Sequence, residues 1–400
     1  MTTPAEAEAA IRAQVKALPA QLTALIDLPG AILREPIVAS RDQPPFDRVM
    51  MDGIAIATSA SNAGRRQFRI AGTQAAGARQ MVLADPDACF EAMTGAVLPH
   101  GCDAVIPVEH IAIETGVATL SGHVTPIAGM NVHARGIDCR AGSELLDSGV
   151  RLGPAEVAVI ASTGLARVAA TRPPRIMVIS TGDELIEPGD AVEGWQIYRS
   201  NVYGVLATLK ARGFEHLTQD HLPDDLDILR RRLRAHLQAH DVLILSGGVS
   251  MGKFDYIPQV LGELGIKVVF HKVEQRPGRP LWFGVGGNGE TVYALPGNPV
   301  STLVCLLRYV LPGLATALGA PHIPPEFVAL SEDVPVKPAL TLFLPVKLAA
   351  PLDGQAAAAS IWATRGSGDF TALIGTAGFV ELPPGPRVVP RGTLVPLYRW

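Results

Sequence analysis

Cysteine is scarce in this 400-residue sequence, and the four present, Cys89, Cys102, Cys139 and Cys305, never form a C-x-x-C pair. That spacing argues against a zinc-finger arrangement and leaves the thiols as reduced core or near-surface groups. Ten histidines are scattered without an H-E-x-x-H, so a zincin site is not expected. A G-x-x-x-x-G-K-[ST] loop is also missing, which disfavours a P-loop NTPase. Net charge is −4, with neither a basic arm nor a long charge run, so a nucleic-acid surface is not expected. No uninterrupted apolar run has membrane-spanning length. Val300 to Leu318 comes nearest and is broken by Arg308 and Pro312. With no basic-then-apolar leader at the N-terminus, the expectation is a cytoplasmic protein that engages neither membrane nor nucleic acid.

What is abundant is glycine, with 40 residues, and proline, with 33, in a chain that is 48% hydrophobic. The length allows roughly two to four domains, with buried cores and many turns. Thr3-Pro4-Ala5-Glu6 reads as a capping box with proline at the first helical position, and Ala10, Ile11, Val15 and Leu18 follow at helical spacing. Short strand-like runs fill Gly53 to about Val132. Gly153 to Ser162 reads as a helix, and "TRPPR" (Thr171 to Arg175) as a stiff linker. At Arg175 the texture changes. "RIMVIS", "DVLILS", "KVVF" and "TVYAL" read as strands, and Ser200 to Lys210, Asp225 to Ala239 and Val300 to Leu318 as helices, with Ser200 as an N-cap. Strands alternating with helices predict an α/β doubly wound, mostly parallel sheet, accompanied by β-rich modules. The expected division is 1–44 with 133–174 as an N-terminal helical and linker domain and 45–132 as an inserted β-rich domain. The doubly wound domain is expected over 175–324, and a C-terminal β domain over 325–400.

Ligands of open α/β sheets bind beyond the carboxyl ends of the strands. Three loops there carry chemistry: "STGDEL" (Ser180 to Leu185), "SGGVSMGKFD" (Ser246 to Asp255) and "LPGNPVS" (Leu295 to Ser301). In the last, Asn298 can cap a helix whose first turn accepts Pro299, and the free N–H groups suit an oxyanion. Gly247-Gly248 and Gly297 permit close backbone approach. Glu184, Asp224 and Asp255 supply carboxylates, which beside a phosphate call for Mg²⁺ to offset their repulsion. "SGGVSMGKFD" also matches the G-x-S-x-G of α/β-hydrolases and the S-x-x-K of penicillin-recognising enzymes. Neither finds its partners, since a later histidine in a suggestive loop and a K-T-G are both missing. Gly284 to Gly289 matches G-x-G-x-x-G but lies between "LWFGV" and "TVYAL", so a β-hairpin turn is expected.

The ordered set "PPFDRVMMDGIA", "MTGAVLPHGCDAVIPVE", "NVHARGIDCRAGSELLDSG", "STGDEL", "YRSN", "SGGVSMGKFDY", "RPGRP" and "LPGNPVS" resembles the molybdopterin molybdenumtransferase family, which includes the gephyrin E domain. The likeness is close from about Pro44 to Ser301 and looser at both ends. It implies an elongated homodimer of four-domain subunits. It also implies Mg²⁺-dependent insertion of molybdenum from molybdate into adenylylated molybdopterin, with release of AMP. By matching motifs, Glu184, Asp224 and Asp255 take the positions of functional acids, with Asp224 and Asp255 on the metal. Asp52 and Thr94 would reach the site from the partner subunit. Gly247, Gly248, Ser250, Pro296, Gly297 and Pro299 match pterin-loop positions. Lys272 matches a lysine upstream of "KPGKP", Arg276 and Arg279 replace the lysines of that motif, and Ser301 and Ser367 are candidate oxyanion ligands. The implied partners are molybdopterin adenylyltransferase and the molybdoenzymes that accept the product.

The sequence departs from the family at Arg48, Val49 and Ile54, at Lys253 where an aspartate is common, and at Leu340 and Pro345 where arginines are expected. These departures motivate an alternative, a divergent paralogue that binds the pterin or a partner protein without catalysis.

Overall fold

The structure is a computed structural model that describes residues 2–248, 256–336, 339–349, 358–385 and 388–400. Packing separates the chain into two compact units. One comprises Met1–Arg34, Gly149–Gly153 and Val168–Trp400, and the other Glu35–Ser148 and Pro154–Arg167.

The first unit contains the doubly wound sheet. In chain order its elements are α1 (Pro4–Gln14), β1 (Ile176–Thr181), α2 (Ser200–Ala211), β2 (Leu217–Leu222), α3 (Leu226–Ala239), β3 (Val242–Ser246), α4 (Ile257–Glu263), β4 (Lys267–His271), β5 (Trp282–Val285) and β6 (Thr291–Leu295). A long helix, α5 (Pro299–Leu318), follows. The strand order is β2-β1-β3-β6-β5-β4. β2, β1, β3 and β6 run parallel, β5 pairs antiparallel with β6, and β4 pairs antiparallel with β5. The connections from β4 to β5 and from β5 to β6 are too short for a helical crossover, so those strands must reverse. The second connection is the turn of Gly284 to Gly289, where the Gly286 N–H donates to the Glu290 carbonyl at 2.8 Å. A hairpin turn was expected there.

Alternation along each parallel strand feeds two cores. Ile176, Val178, Val242 and Ile244 pack with α1, α2 and α5. Met177, Ile179, Leu243 and Leu245 pack with α3 and α4. Burial on both faces is why "RIMVIS" and "DVLILS" read as continuous apolar runs. α1 begins with the expected Thr3–Glu6 capping box. α3 is capped by Asp225, whose carboxylate accepts from the N–H groups of Asp227 and Ile228, and it buries Leu229, Leu233 and Leu237. α2 differs from expectation. Ser200 is its first helical residue, and Arg199 stands at the cap position without a side-chain bond.

α5 is long and apolar enough to cross a bilayer by composition, yet most of it is buried in this unit. Its middle turn, Leu306–Val310, is a π-helix. Pro312 can neither donate to the Arg308 carbonyl nor sit against it in a regular α-turn, and the widened turn relieves both constraints. The same turn directs Arg308 into the interior. Its side chain is 6% exposed and pairs with Glu8 of α1 and with Glu381 at 2.8 Å. The guanidinium carbon lies 5.4 Å from the ring centres of Tyr309 and Tyr398. Burial opposes the charge, but Glu381 and Glu8 more than offset it and raise the Arg308 pKa.

Glu381 belongs to the C-terminal sheet, ordered Gln275–Arg276, Thr341–Ala349, Ala358–Ile361, Glu326–Leu330, Leu394–Arg399, Gly378–Leu382. Gly378–Leu382 also pairs back onto Thr341–Ala349, which closes the sheet around Val328, Leu330, Val346 and Val380.

The second unit holds a six-stranded sheet in the order Ala104–Pro107, Gly53–Ile56, Ala88–Ala92, Gln67–Gln74, Val117–Leu120, Ile111–Glu114. Its helices include the five-residue Thr58–Asn62 and the expected Pro154–Ser162.

Arg308→Ala should lower the stability of the first unit by about 3 kcal/mol, because two carboxylates lose their buried partner. Equilibrium urea unfolding would measure this, and a loss below about 1 kcal/mol would show that solvent already screens the pair. Burial raises the Glu8 pKa, but Arg308 and Arg12 lower it further, to a net position below its ordinary 4.5. A carboxyl shifted downward adds stability that is complete above the ordinary value and lost as pH falls through the folded one. Arg308→Ala should therefore also flatten the acid limb of the stability profile.

Candidate active site

A crevice of about 530 Å³ opens beyond the carboxyl ends of β1, β3 and β6. The three strands are parallel neighbours, so the loops that follow them emerge on one side. The β1 loop brings Glu184, and the turn into α3 brings Asp224. Gly247 and Gly248 come from the β3 loop, and Pro296, Gly297 and Pro299 from the β6 loop. Seven of the residues singled out from sequence thus share one wall. Ser250, Lys253 and Asp255 lie outside the described residues.

The glycine pair is fixed by space. Gly247 and Gly248 have φ of 103° and 68°, left-handed values that a side chain resists. A Cβ on Gly247 would lie 2.8 Å from Thr181 Oγ1, and one on Gly248 2.6 Å from Ile257 Cγ1. The Gly247 N–H already donates to the Leu295 carbonyl at 3.1 Å. This glycine therefore contributes room for a ligand, not a donor. Two polar atoms on the crevice wall are buried without a partner among the described residues, Thr181 Oγ1 and Asn201 Oδ1. Asn201 starts from "YRSN". Its Nδ2 donates to Ser246 Oγ at 2.9 Å and to the Gly297 carbonyl at 2.6 Å, linking α2 to the β3 and β6 loops.

A second cavity, of about 670 Å³, adjoins the crevice and shares Pro280, Pro296 and Asn298 with it. It is lined by Arg276, Arg279 and Arg365, by Ser301 and Ser367, and, among the described residues, by no aspartate or glutamate. Arg276 enters because Gln275–Arg276 pairs with Thr341 and Leu342, joining the "RPGRP" segment to the C-terminal sheet. Leu340 and Pro345 line the same cavity without charge. Ser367 is held by the start of α5. Its Oγ accepts from Asn298 Nδ2 at 2.8 Å, and its carbonyl accepts from the Val300 N–H at 3.0 Å. Asn298 therefore stands at the cap position, but its side chain reaches Ser367 and does not close the helix end. Lys272 lines neither cavity; it follows β4 with a left-handed φ of 74°.

Asp52 and Thr94 belong to the second unit and form a pair of their own. Asp52 Oδ1 accepts from the Thr94 N–H at 2.7 Å and from its Oγ1 at 2.8 Å. The first of these bonds, then the second, holds the Asp52 pKa below its usual value.

Arg365, Thr181 and Asn201 were not assigned a role from sequence. Arg365 lies in a segment with no strong pattern. Asn201 gave a signal as the last residue of "YRSN", and only the fold shows what it touches.

Chemically, the crevice offers two carboxylates and the Arg199 guanidinium, which is paired with Glu187, and the adjoining cavity three guanidinium groups. Among the described residues no group of three histidine, cysteine, aspartate or glutamate side chains forms a closed metal cage. An open carboxylate pair suits a hydrated Mg²⁺ that shares its coordination with a phosphate. The arginine cavity suits an oxyanion, which guanidinium forks bind in bidentate fashion.

Known proteins resemble the chain along its whole length. A family model described as the MoeA N-terminal region (domain I and II) matches residues 2–164, and one described as a probable molybdopterin binding domain matches residues 177–316. The molybdopterin molybdenumtransferase of Synechocystis sp. is 42% identical over 372 residues, 93% of each chain. The protein of the same name from Staphylococcus epidermidis is 29% identical, over 92% of this chain and 88% of its own. The crystal structure of the molybdopterin biosynthesis moeA protein from Pyrococcus horikosii matches with a TM-score of 0.82 and 28% identity, covering 100% of this chain and 99% of that one.

Gly247→Ala should destabilise the first unit by about 1–3 kcal/mol, the cost of a left-handed non-glycine residue and its contact with Thr181. Urea unfolding that left the midpoint unmoved would show that the loop yields without strain.

Proposed function

The chain belongs to the molybdopterin molybdenumtransferase family, enzymes of molybdenum cofactor biosynthesis that act on molybdopterin, and we propose that it takes adenylylated molybdopterin and molybdate, inserts the metal at the dithiolene and releases AMP. The observation that carries this is the pairing of two joined cavities of different charge. One has Glu184 and Asp224 on its wall together with Arg199, itself paired with Glu187, and the other has Arg276, Arg279 and Arg365. A substrate that carries both a phosphoanhydride and a metal-accepting end needs both environments.

In this reading Asp224 and Asp255 hold Mg²⁺, with Glu184 beside them. Bound there, Mg²⁺ would neutralise charge on the phosphoanhydride and polarise its phosphorus. Gly247, Gly248, Pro296, Gly297 and Pro299 leave room for the pterin, and Ser250 belongs with them. Arg276 and Arg279, with Ser301 and Ser367, bind molybdate. Arg365 adds a positive charge to a cavity to which Leu340 and Pro345 contribute none. Lys272 acts from the edge of the sheet. Residues 175–324 form the pterin-binding domain of a four-domain subunit in a cytoplasmic homodimer, in which Asp52 and Thr94 complete the partner's site. The Thr94 bonds support that role, because they keep Asp52 ionised and oriented. The adenylyltransferase that makes the substrate and the molybdoenzymes that accept the product are the partners.

Incubating the purified chain with adenylylated molybdopterin, molybdate and Mg²⁺ should release AMP, and chelation of Mg²⁺ should stop it. Tight pterin binding without AMP release would sink the proposal. Asp255→Asn should reduce AMP release by at least about 10-fold and pterin binding by less; equal loss of both would make Asp255 structural. A mixing experiment tests the shared site. Asp52→Asn and Glu184→Gln should each be inactive, and subunit exchange between them should restore roughly a quarter of wild-type activity, the share that random pairing gives. No recovery after verified exchange would sink the cross-subunit arrangement.

A further inference from the structure

Asn201 has its amide orientation dictated by its neighbours. The Gly297 carbonyl can only accept, so the group facing it at 2.6 Å is Nδ2, and the same nitrogen donates to Ser246 Oγ at 2.9 Å. Both donors of the amide are therefore used, and Oδ1 is left buried on the crevice wall with no partner among the described residues. An amide oxygen in that position can only accept. A phosphate, a carboxylate or a molybdate oxygen offers it nothing and meets it lone pair to lone pair. A ligand that satisfies this oxygen must bring a donor, an N–H or an O–H. Thr181 Oγ1, on a residue that is 4% exposed, is the other unpartnered atom on this wall. As a hydroxyl it can donate or accept, so it deepens the polar wall without choosing the ligand.

We propose that Asn201 Oδ1 accepts a hydrogen bond from the amine and amide edge of the pterin, and so sets which end of the substrate enters the crevice. This rests on the reading of the crevice as a pterin site. Of the substrate's parts, the pterin ring carries N–H donors beside its exocyclic amine, the adenosine carries an amine and ribose hydroxyls, and the phosphoanhydride and dithiolene carry none. With the ring edge at Asn201 the phosphates lie toward Glu184 and Asp224, where a divalent cation can mediate; titration with AMP reads the competing donors. An unmet buried acceptor is costly enough that a site built this way rejects ligands lacking the donor.

The test compares ligands that report on the two ends, 6-hydroxymethylpterin and AMP with Mg²⁺, by calorimetric titration of the full chain. Asn201→Ala should weaken the pterin by about 10-fold or more and AMP by less than about 2-fold. Equal weakening of both, or of neither, overturns the role given to Asn201. A second arm needs no variant. Dimethylating the exocyclic amine and methylating the adjacent ring nitrogen removes the donors and should weaken binding to the wild-type chain by a similar factor. A methylated pterin that binds as tightly as its parent overturns the proposal. If the wild-type chain binds no pterin at all, the reading of the crevice itself fails, an outcome distinct from pterin binding that ignores Asn201.

Discussion

A single buried guanidinium organises the first unit. Arg308 leaves the middle of α5, meets Glu8 from α1 and Glu381 from the closed C-terminal sheet, and rests between two tyrosine rings. Two elements far apart in sequence, α1 and the C-terminal sheet, are thereby tied to one helix. The amino end of that helix follows the β6 loop and opens onto both cavities through Asn298 and its neighbours. Without a fixed angle between α5 and the C-terminal sheet, Arg276 and Arg279 on one side and Arg365 and Ser367 on the other would not line a common space. A buried ion pair is weak evidence of net stability; its value here is geometric, since each carboxylate is satisfied in one arrangement.

The two cavities show how a fold can keep opposite charges apart yet connected. Glu184 and Asp224 gather at the ends of the parallel strands, where Arg199 is tied to Glu187, and Arg276, Arg279 and Arg365 gather where Gln275–Arg276 joins the second sheet. The boundary is made of prolines and Asn298, whose amide is tied to Ser367. Rigid, uncharged residues at that border let each environment hold its own partner without mutual neutralisation.

Much of this was legible in the sequence, for local reasons. The leucine stripe of α3, the Thr3–Glu6 box and the hairpin at Gly286 follow from spacing and turn chemistry within a few residues. The parallel core was legible because strands covered on both faces are apolar throughout. That order placed Glu184, Gly247 and Gly297 at strand ends, so a shared crevice was foreseeable once the strands were taken as neighbours. What could not be read is non-local. The partner of Asn298 lies 69 residues away, so local capping rules misassigned its side chain. Closure of the C-terminal sheet through Gly378–Leu382, and with it the place of Arg365, depends on pairings across long separations. Asn201 could be noticed as part of a motif, but its unpartnered oxygen exists only because Ser246 and Gly297 occupy its nitrogen.

The π turn of α5 has a consequence for synthesis as well as for structure. By length and apolar content α5 could leave water for a bilayer as the chain emerges, before its packing partners are made. Arg308 stands near the middle of the 20-residue segment, where an arginine raises the cost of membrane insertion by about 2.5–3.5 kcal/mol. The charge that later locks the interior therefore first biases the nascent helix away from lipid. Folding then supplies, in Glu8 and Glu381, the counter-charges that let the same arginine be buried in protein.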